Sequence, residues 1–166
     1  MSDFVVGLIE RYRSSGILVD TNLLLLYFVG SFDPNLISTF KRTTAFTSED
    51  FVLLNRLLRE FRRVVTTPNI LTEVNSLSNQ LPEHIKQRYF PLFARGIMLL
   101  EEIYTPSRDI AVRREFVAFG LTDTGIFHSA ANEYLILTQD FRLSQVLAAR
   151  GIDVINFNHL RGYLFS

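Results

Sequence analysis

Short apolar runs that end at an acid or a turn, set between longer stretches of helical spacing, constrain this chain more than any other feature. From Gly16, the run Ile17-Leu18-Val19 is apolar and partly β-branched, and it stops at Asp20-Thr21-Asn22 ahead of a second apolar segment, Leu23 to Val29. That pattern predicts a strand, a polar turn and a helix. Val64-Val65, Tyr134 to Thr138 and Asp153 to Phe157 are the remaining strand candidates. Thr47-Ser48-Glu49-Asp50 predicts a helix start with a hydroxyl cap and an acidic first turn, and Phe51, Leu54, Leu57, Leu58 and Phe61 follow at helical spacing. Thr67-Pro68 predicts another helix entry, carrying Ile70, Leu71, Val74 and Leu77 inward with Glu73 near its beginning.

A further helical stretch is expected from Pro82 through Met98 to Ile103, interrupted around Pro91 and ended before Pro106. Another is expected from Ser107 to Phe119. Gly120 breaks that pattern, and Thr122 or Asp123 begins a helix rich in small residues, through Ser129, Ala130 and Ala131. A helix from Arg142 to Arg150, closed by Gly151, precedes the last strand and a short C-terminal helix. Strands alternating with helices argue for an α/β fold with a mostly parallel sheet.

A length of 166 residues fits one domain, 1–166, and 48% hydrophobic with 20% charged residues is the profile of a packed globular chain. Cysteine is absent and histidine occurs three times, so any metal sits mainly on oxygen ligands, which favours Mg²⁺ or Mn²⁺. The longest apolar stretch, around Leu23 to Gly30, is far shorter than the roughly 20 residues of a membrane span. The opening MSDFVVGLIE has an early acid and no cleavage-site pattern, so the expectation is a soluble cytoplasmic protein with no membrane partner. A formal net charge of zero argues against strong sequence-independent binding of nucleic acid. The basic residues are almost all Arg, dense at Arg56, Arg59, Arg62 and Arg63, which suits either phosphate contacts or a solvated helix face.

In an open parallel sheet the functional crevice lies outside the carboxyl ends of the strands, where Asp20 and Asp140 fall. Glu73 and Asp123, near the starts of helices, point to the same edge. Taken singly, Asp20 and Asp140 also read as helix caps, Glu73 as a solvated helix residue and Asp123 as a first-turn acid that offsets the helix dipole. Taken together they need compensation, since two carboxylates about 5 Å apart at an effective dielectric near 20 repel by roughly 3 kcal/mol. A divalent cation supplies that compensation, and its bound water suits phosphodiester hydrolysis. Thr21, Asn22 and Thr138 are candidates to hold the carboxylates or a substrate phosphate. His128 lies five residues beyond Asp123, about 500° round the helix, and reads as packing or solvent. The phenylalanines read as core, since they recur within apolar stripes.

These residues resemble the PIN-domain family. Ile17-Leu18-Val19-Asp20-Thr21-Asn22 is similar to the opening strand of that family. Thr67-Pro68-Asn69-Ile70-Leu71-Thr72-Glu73-Val74 is similar to the helix that carries the family's glutamate, and Leu121-Thr122-Asp123-Thr124-Gly125-Ile126 and Ile136-Leu137-Thr138-Gln139-Asp140-Phe141 follow in the family's order. The likeness runs from about Gly16 to Phe157. It implies a three-layer α/β/α fold and a Mg²⁺- or Mn²⁺-dependent ribonuclease, with Asp20, Glu73, Asp123 and Asp140 as ligands and catalytic acids. It also implies RNA as substrate, with an antitoxin protein and a second copy of the chain as partners. Where some members carry one more acid, two residues beyond Asp140, this chain has Arg142, which suits a scissile phosphate or plain solvent. The alternative is a PIN-like module that binds RNA or protein without cutting. A phosphatase of the haloacid dehalogenase type also begins with an Asp after a strand, but it needs a second Asp where Asn22 stands.

Overall fold

The computed structural model describes residues 3–129 and 133–162. Its elements run α1 (Asp3–Tyr12), β1 (Ile17–Val19), α2 (Thr21–Phe32), a 3₁₀ turn (Pro34–Leu36), α3 (Ser48–Leu58), β2 (Val64–Thr66) and α4 (Pro68–Ser78). They continue with α5 (Glu83–Ile97), β3 (Glu101–Glu102), α6 (Ser107–Ala111), α7 (Phe116–Ser129), β4 (Leu135–Thr138), α8 (Phe141–Ala149), β5 (Val154–Asn156) and α9 (Phe157–Arg161). The fold is α/β, with one five-stranded sheet in the order β3-β2-β1-β4-β5. Every strand pair in it is parallel.

The sequence dictates this arrangement locally. β1 and β4 have no polar alternation, and Ile17, Leu18, Val19, Leu135, Ile136 and Leu137 are all fully buried, as strands covered on both faces must be. The register sets Ile17 beside Val64 and Leu135, and Val19 beside Leu137. The chain steps outward from β1 to β2 and β3, then returns to the other side for β4 and β5. Right-handed crossovers place the helices of these two halves on opposite faces, which makes three layers. On one side α2 packs with α3, α4 and α5, and on the other α1 and α8 lie against β4. Leu23, Leu24, Leu25 and Leu26 on α2 are all fully buried, the mark of a helix enclosed on every side.

The caps fall where the sequence places them. Thr47 and Asp50 form a reciprocal capping box on α3, Thr67 caps α4 with Pro68 in its first turn, and Gly151 takes the left-handed conformation (φ 71°) just beyond α8. Three expectations are corrected. The stretch from Pro82 ends at Ile97, and Glu101–Glu102 then adds the edge strand β3. Pro91 lies inside α5, where the inward side chains Tyr89 and Phe93 hold the helix across it. The expected helix Ser107 to Phe119 divides into α6 and the start of α7. Ala130 and Ala131 of the predicted small-residue helix lie outside the described residues. α1 is an addition, bound by Leu8, Ile9 and Tyr12 to the core and by Tyr12 Oη, which donates to Asp153 Oδ2 at 2.8 Å.

Among the described residues no helix is long and apolar enough to cross a membrane.

Candidate metal centre

Strand order reverses between β1 and β4, so the segments leaving these neighbours diverge and open a crevice at their carboxyl ends. Asp20 directly follows β1, and its N–H donates to Leu137 O at 3.0 Å, extending the ladder one step past the strand. Its carboxylate is nearly fully buried. Oδ1 accepts from Leu23 N at 3.0 Å and caps α2, while Oδ2 accepts from Thr138 Oγ1 at 2.5 Å and from Gln139 N at 3.0 Å. Burial pushes the Asp20 pKa up and Asp140 adds to that, while the three donated hydrogen bonds pull the other way.

Thr138, the last residue of β4, links the two aspartates. Its hydroxyl donates to Asp20 and accepts from Asp140 N at 2.9 Å. Asp140 Oδ1 in turn caps α8 by accepting from Leu143 N at 2.9 Å. Oδ2 of Asp140 has no hydrogen bond among the described residues.

Two helices bring the other acids to this edge. Glu73 is exposed on α4, with Oε2 accepting from Thr21 Oγ1 at 2.8 Å and Oε1 from Thr122 Oγ1 at 2.6 Å. Thr21 belongs to the first turn of α2 and Thr122 to α7, so Glu73 ties three helices together. Asp123 follows on α7, half-buried beyond the kink at Gly120 (φ 70°, ψ −167°). Its pKa is pushed up to about 6, first by burial and then by the charges of Asp20, Asp140 and Glu73. Those three charges place all four acids in one electrostatic neighbourhood. Among the described residues no Lys, Arg or His forms an ion pair with any of them. Nor are three carboxylate or imidazole groups gathered closely enough to grip an ion between them as placed. The arrangement is a loose acidic basin of hard oxygen donors, which matches an ion that takes one or two carboxylates directly and keeps several waters.

The surrounding predictions divide. Thr21 and Thr138 hold carboxylates by hydrogen bonds, whereas Asn22 is exposed and no hydrogen bond joins it to the four acids. Thr122 was missed as a contributor, since only the fold brings its hydroxyl to Glu73. Arg142 sits over the Phe119 ring at 4.7 Å from the centroid, and His128 is exposed with Nδ1 at 2.8 Å from Arg113 Nη2. Arg62 and Arg63 precede β2, and Arg56 and Arg59 close α3, so this cluster lies at the edge of the sheet opposite the acids. It is a solvated face, with Arg63 paired to Glu101 at 2.9 Å, and forms no basic rim to the basin. Among the phenylalanines, Phe4 and Phe141 depart from the core expectation and stand exposed, Phe141 next to Asp140 in the chain.

Compared with protein-family models and with curated proteins, the chain matches none.

Proposed function

We propose that this chain is a PIN-type ribonuclease that uses Mg²⁺ or Mn²⁺ to hydrolyse RNA phosphodiester bonds. One observation carries the reading: acids from four separate elements share one electrostatic neighbourhood at the switch point of a parallel sheet, with no ion-paired base among the described residues. The family resemblance of the four segments supports it. Asp20, Asp140 and Asp123 are the residues that would hold the ion, with Glu73 completing the basin. A bound divalent ion supplies Lewis acidity and a water of lowered pKa for attack on phosphorus. The protein's own part is to fix the carboxylates: two helix caps set the rotamers of Asp20 and Asp140, Thr138 locks them to each other, and Thr21 with Thr122 aims Glu73. A protein antitoxin, a second copy of the chain and a cytoplasmic setting belong to the same proposal.

The test is cleavage of a labelled mixed RNA pool by wild type and Asp20→Asn, each with Mg²⁺, Mn²⁺ or EDTA. Metal-dependent cutting that disappears in the variant is expected; equal cutting by the variant removes the site assignment. The non-catalytic module is the second reading, favoured by the absence among the described residues of three acids close enough to grip an ion. Titration calorimetry separates the two, since the module shows no saturable Mn²⁺ binding that depends on Asp20.

A further inference from the structure

The short helix α9 supplies none of the four acids, yet its first turn touches the loop that carries Asp140. β5 pairs with β4 so that Asn156 lies beside Thr138. Asn156 then caps α9: its Oδ1 accepts from Asn158 N at 3.0 Å, and its Nδ2 donates to Ser144 Oγ at 2.9 Å, which ties the cap to α8. The cap sets Asn158 against the turn from β4 to α8, where its Nδ2 donates to Gln139 O at 2.9 Å.

That bond continues into the basin. Gln139 O and Asp140 N belong to one planar peptide, so a donor to the oxygen polarises the N–H on the other side. Asp140 N donates to Thr138 Oγ1 at 2.9 Å, and Thr138 Oγ1 donates to Asp20 Oδ2 at 2.5 Å. Asn158, the 139–140 peptide and Thr138 therefore form an unbroken run of donors, all directed at Asp20. Hydrogen bonds in series strengthen one another by about 10–30% per bond, and here the gain ends on the carboxylate. Gln139 N, in the preceding peptide, also donates to Asp20 Oδ2, so the same turn grips Asp20 at two points.

The outer end of the run is anchored as well. Arg161, three residues beyond Asn158 and so on the same side of α9, donates from Nη1 to Asn158 Oδ1 at 3.4 Å, the longest contact of the series. Its Nη2 is fixed by Asp50 Oδ2 at 2.8 Å and by Ala45 O at 3.3 Å. Asp50 is only 2% exposed and belongs to the capping box of α3, so Arg161 fastens α9 to a rigid part of the fold. Asn158 is exposed, and an exposed amide holds one bond against competing water only where its position is preset. The Asn156 cap and the Arg161 anchor preset it.

We propose that Asn158 is a positioning residue of the metal site: through the 139–140 peptide and Thr138 it holds the Asp20 carboxylate in place for the ion. The proposal rests on the metal-dependent reading of the basin. Calorimetric titration of the full chain with Mn²⁺ compares wild type, Asn158→Ala, Thr138→Val and the double variant. Asn158→Ala should weaken Mn²⁺ about fivefold, less than the loss of a direct partner of a metal ligand because Asn158 stands further out. In the Thr138→Val protein the same change should add nothing, since the run is already cut. In EDTA the Asp140 amide proton of the ¹⁵N-labelled Asn158→Ala chain should move upfield, as its bond to Thr138 weakens. The Asn156 cap and the Arg161 anchor remain in this variant, so it folds, and a melt in EDTA close to that of wild type shows it. An unchanged Mn²⁺ affinity in Asn158→Ala, or an equal loss with and without the Thr138 hydroxyl, makes Asn158 a contact of α9 alone and overturns the proposal while the metal site stands. If Thr138→Val is too unstable to titrate, the Asp140 amide decides, and an unmoved proton overturns it. Wild type that binds no Mn²⁺ saturably overturns the metal reading itself, and the proposal falls with it.

Discussion

Replacing Asp123 by Asn tests the acidic basin without requiring any knowledge of substrate. The folded carboxyl holds its proton up to about pH 6, whereas the unfolded chain releases it near 3.8. Below about pH 4 both states are protonated and the group has no net effect. Between about pH 4 and 6 the unfolded state ionises first, so stability falls as pH rises, and above 6 the full penalty applies. A shift of about two units corresponds to about 3 kcal/mol. Asp123 is partly open to solvent, and screening reduces this to about 1.5 kcal/mol. The Asn variant, free of the charge, should therefore melt higher than wild type at pH 8 in EDTA, by about 3–6 °C for a chain of this length. The difference should largely disappear at pH 4, close to the pKa of the unfolded carboxyl. Adding Mg²⁺ or Mn²⁺ should reverse it, because an ion that binds only the folded wild type stabilises that protein alone. Thermal melts at the two pH values, with and without metal, are sufficient. A variant that melts lower at pH 8, or by the same margin at both pH values, refutes the claim that burial and the neighbouring acids penalise the Asp123 charge.

Thr138→Val removes a donor to Asp20 and an acceptor for Asp140 N at once. Urea unfolding should show a loss of about 2 kcal/mol, and an unchanged midpoint removes the role given to Thr138. Gly96→Ala sets a methyl group against the ring of Phe28, which is buried and packs edge-on to Phe93 at 4.7 Å. Overpacking of that kind should lower stability by about 1–3 kcal/mol, and a variant as stable as wild type shows that α5 can move away from α2.

Much of this architecture is legible before any coordinates, and the reasons are local. The strands β1 and β4 are central and buried on both faces, so their sequences are unbroken apolar runs bounded by turns. The edge strand β3 has two residues, both glutamate, and its pairing with Val65 and Thr66 is decided by the partner strand. Charge at an edge is also what discourages pairing with other chains, so the residues that suit the position conceal it. Pro91 misleads for a related reason. Its local penalty of about 3 kcal/mol is fixed by the sequence, but the compensation comes from the packing of Tyr89 on Phe32 and of Phe93 on Phe28, contacts to α2 that exist only in the fold. The site shows the same division. Asp20 and Asp140 follow recognisable strands, while Thr122 reaches Glu73 only because α7 lies against α4.

The two aspartates also show why helix capping and metal binding need not compete as explanations. Asp20 and Asp140 both cap helices, so the plainer reading of each is correct. Capping, however, engages one oxygen and fixes the rotamer, and what becomes of the second oxygen differs: in Asp20 it accepts from Thr138 and Gln139. In Asp140 that second oxygen has no hydrogen bond among the described residues, and in Asp123 neither oxygen does. An Asn caps a helix about as well as an Asp. Asp140→Asn therefore subtracts charge and leaves the cap in place. If the acid were there only to cap, this variant would melt like wild type and its melting temperature would respond to Mn²⁺ in the same way. A smaller response to Mn²⁺ at an undiminished metal-free melting temperature assigns the free oxygen to the ion.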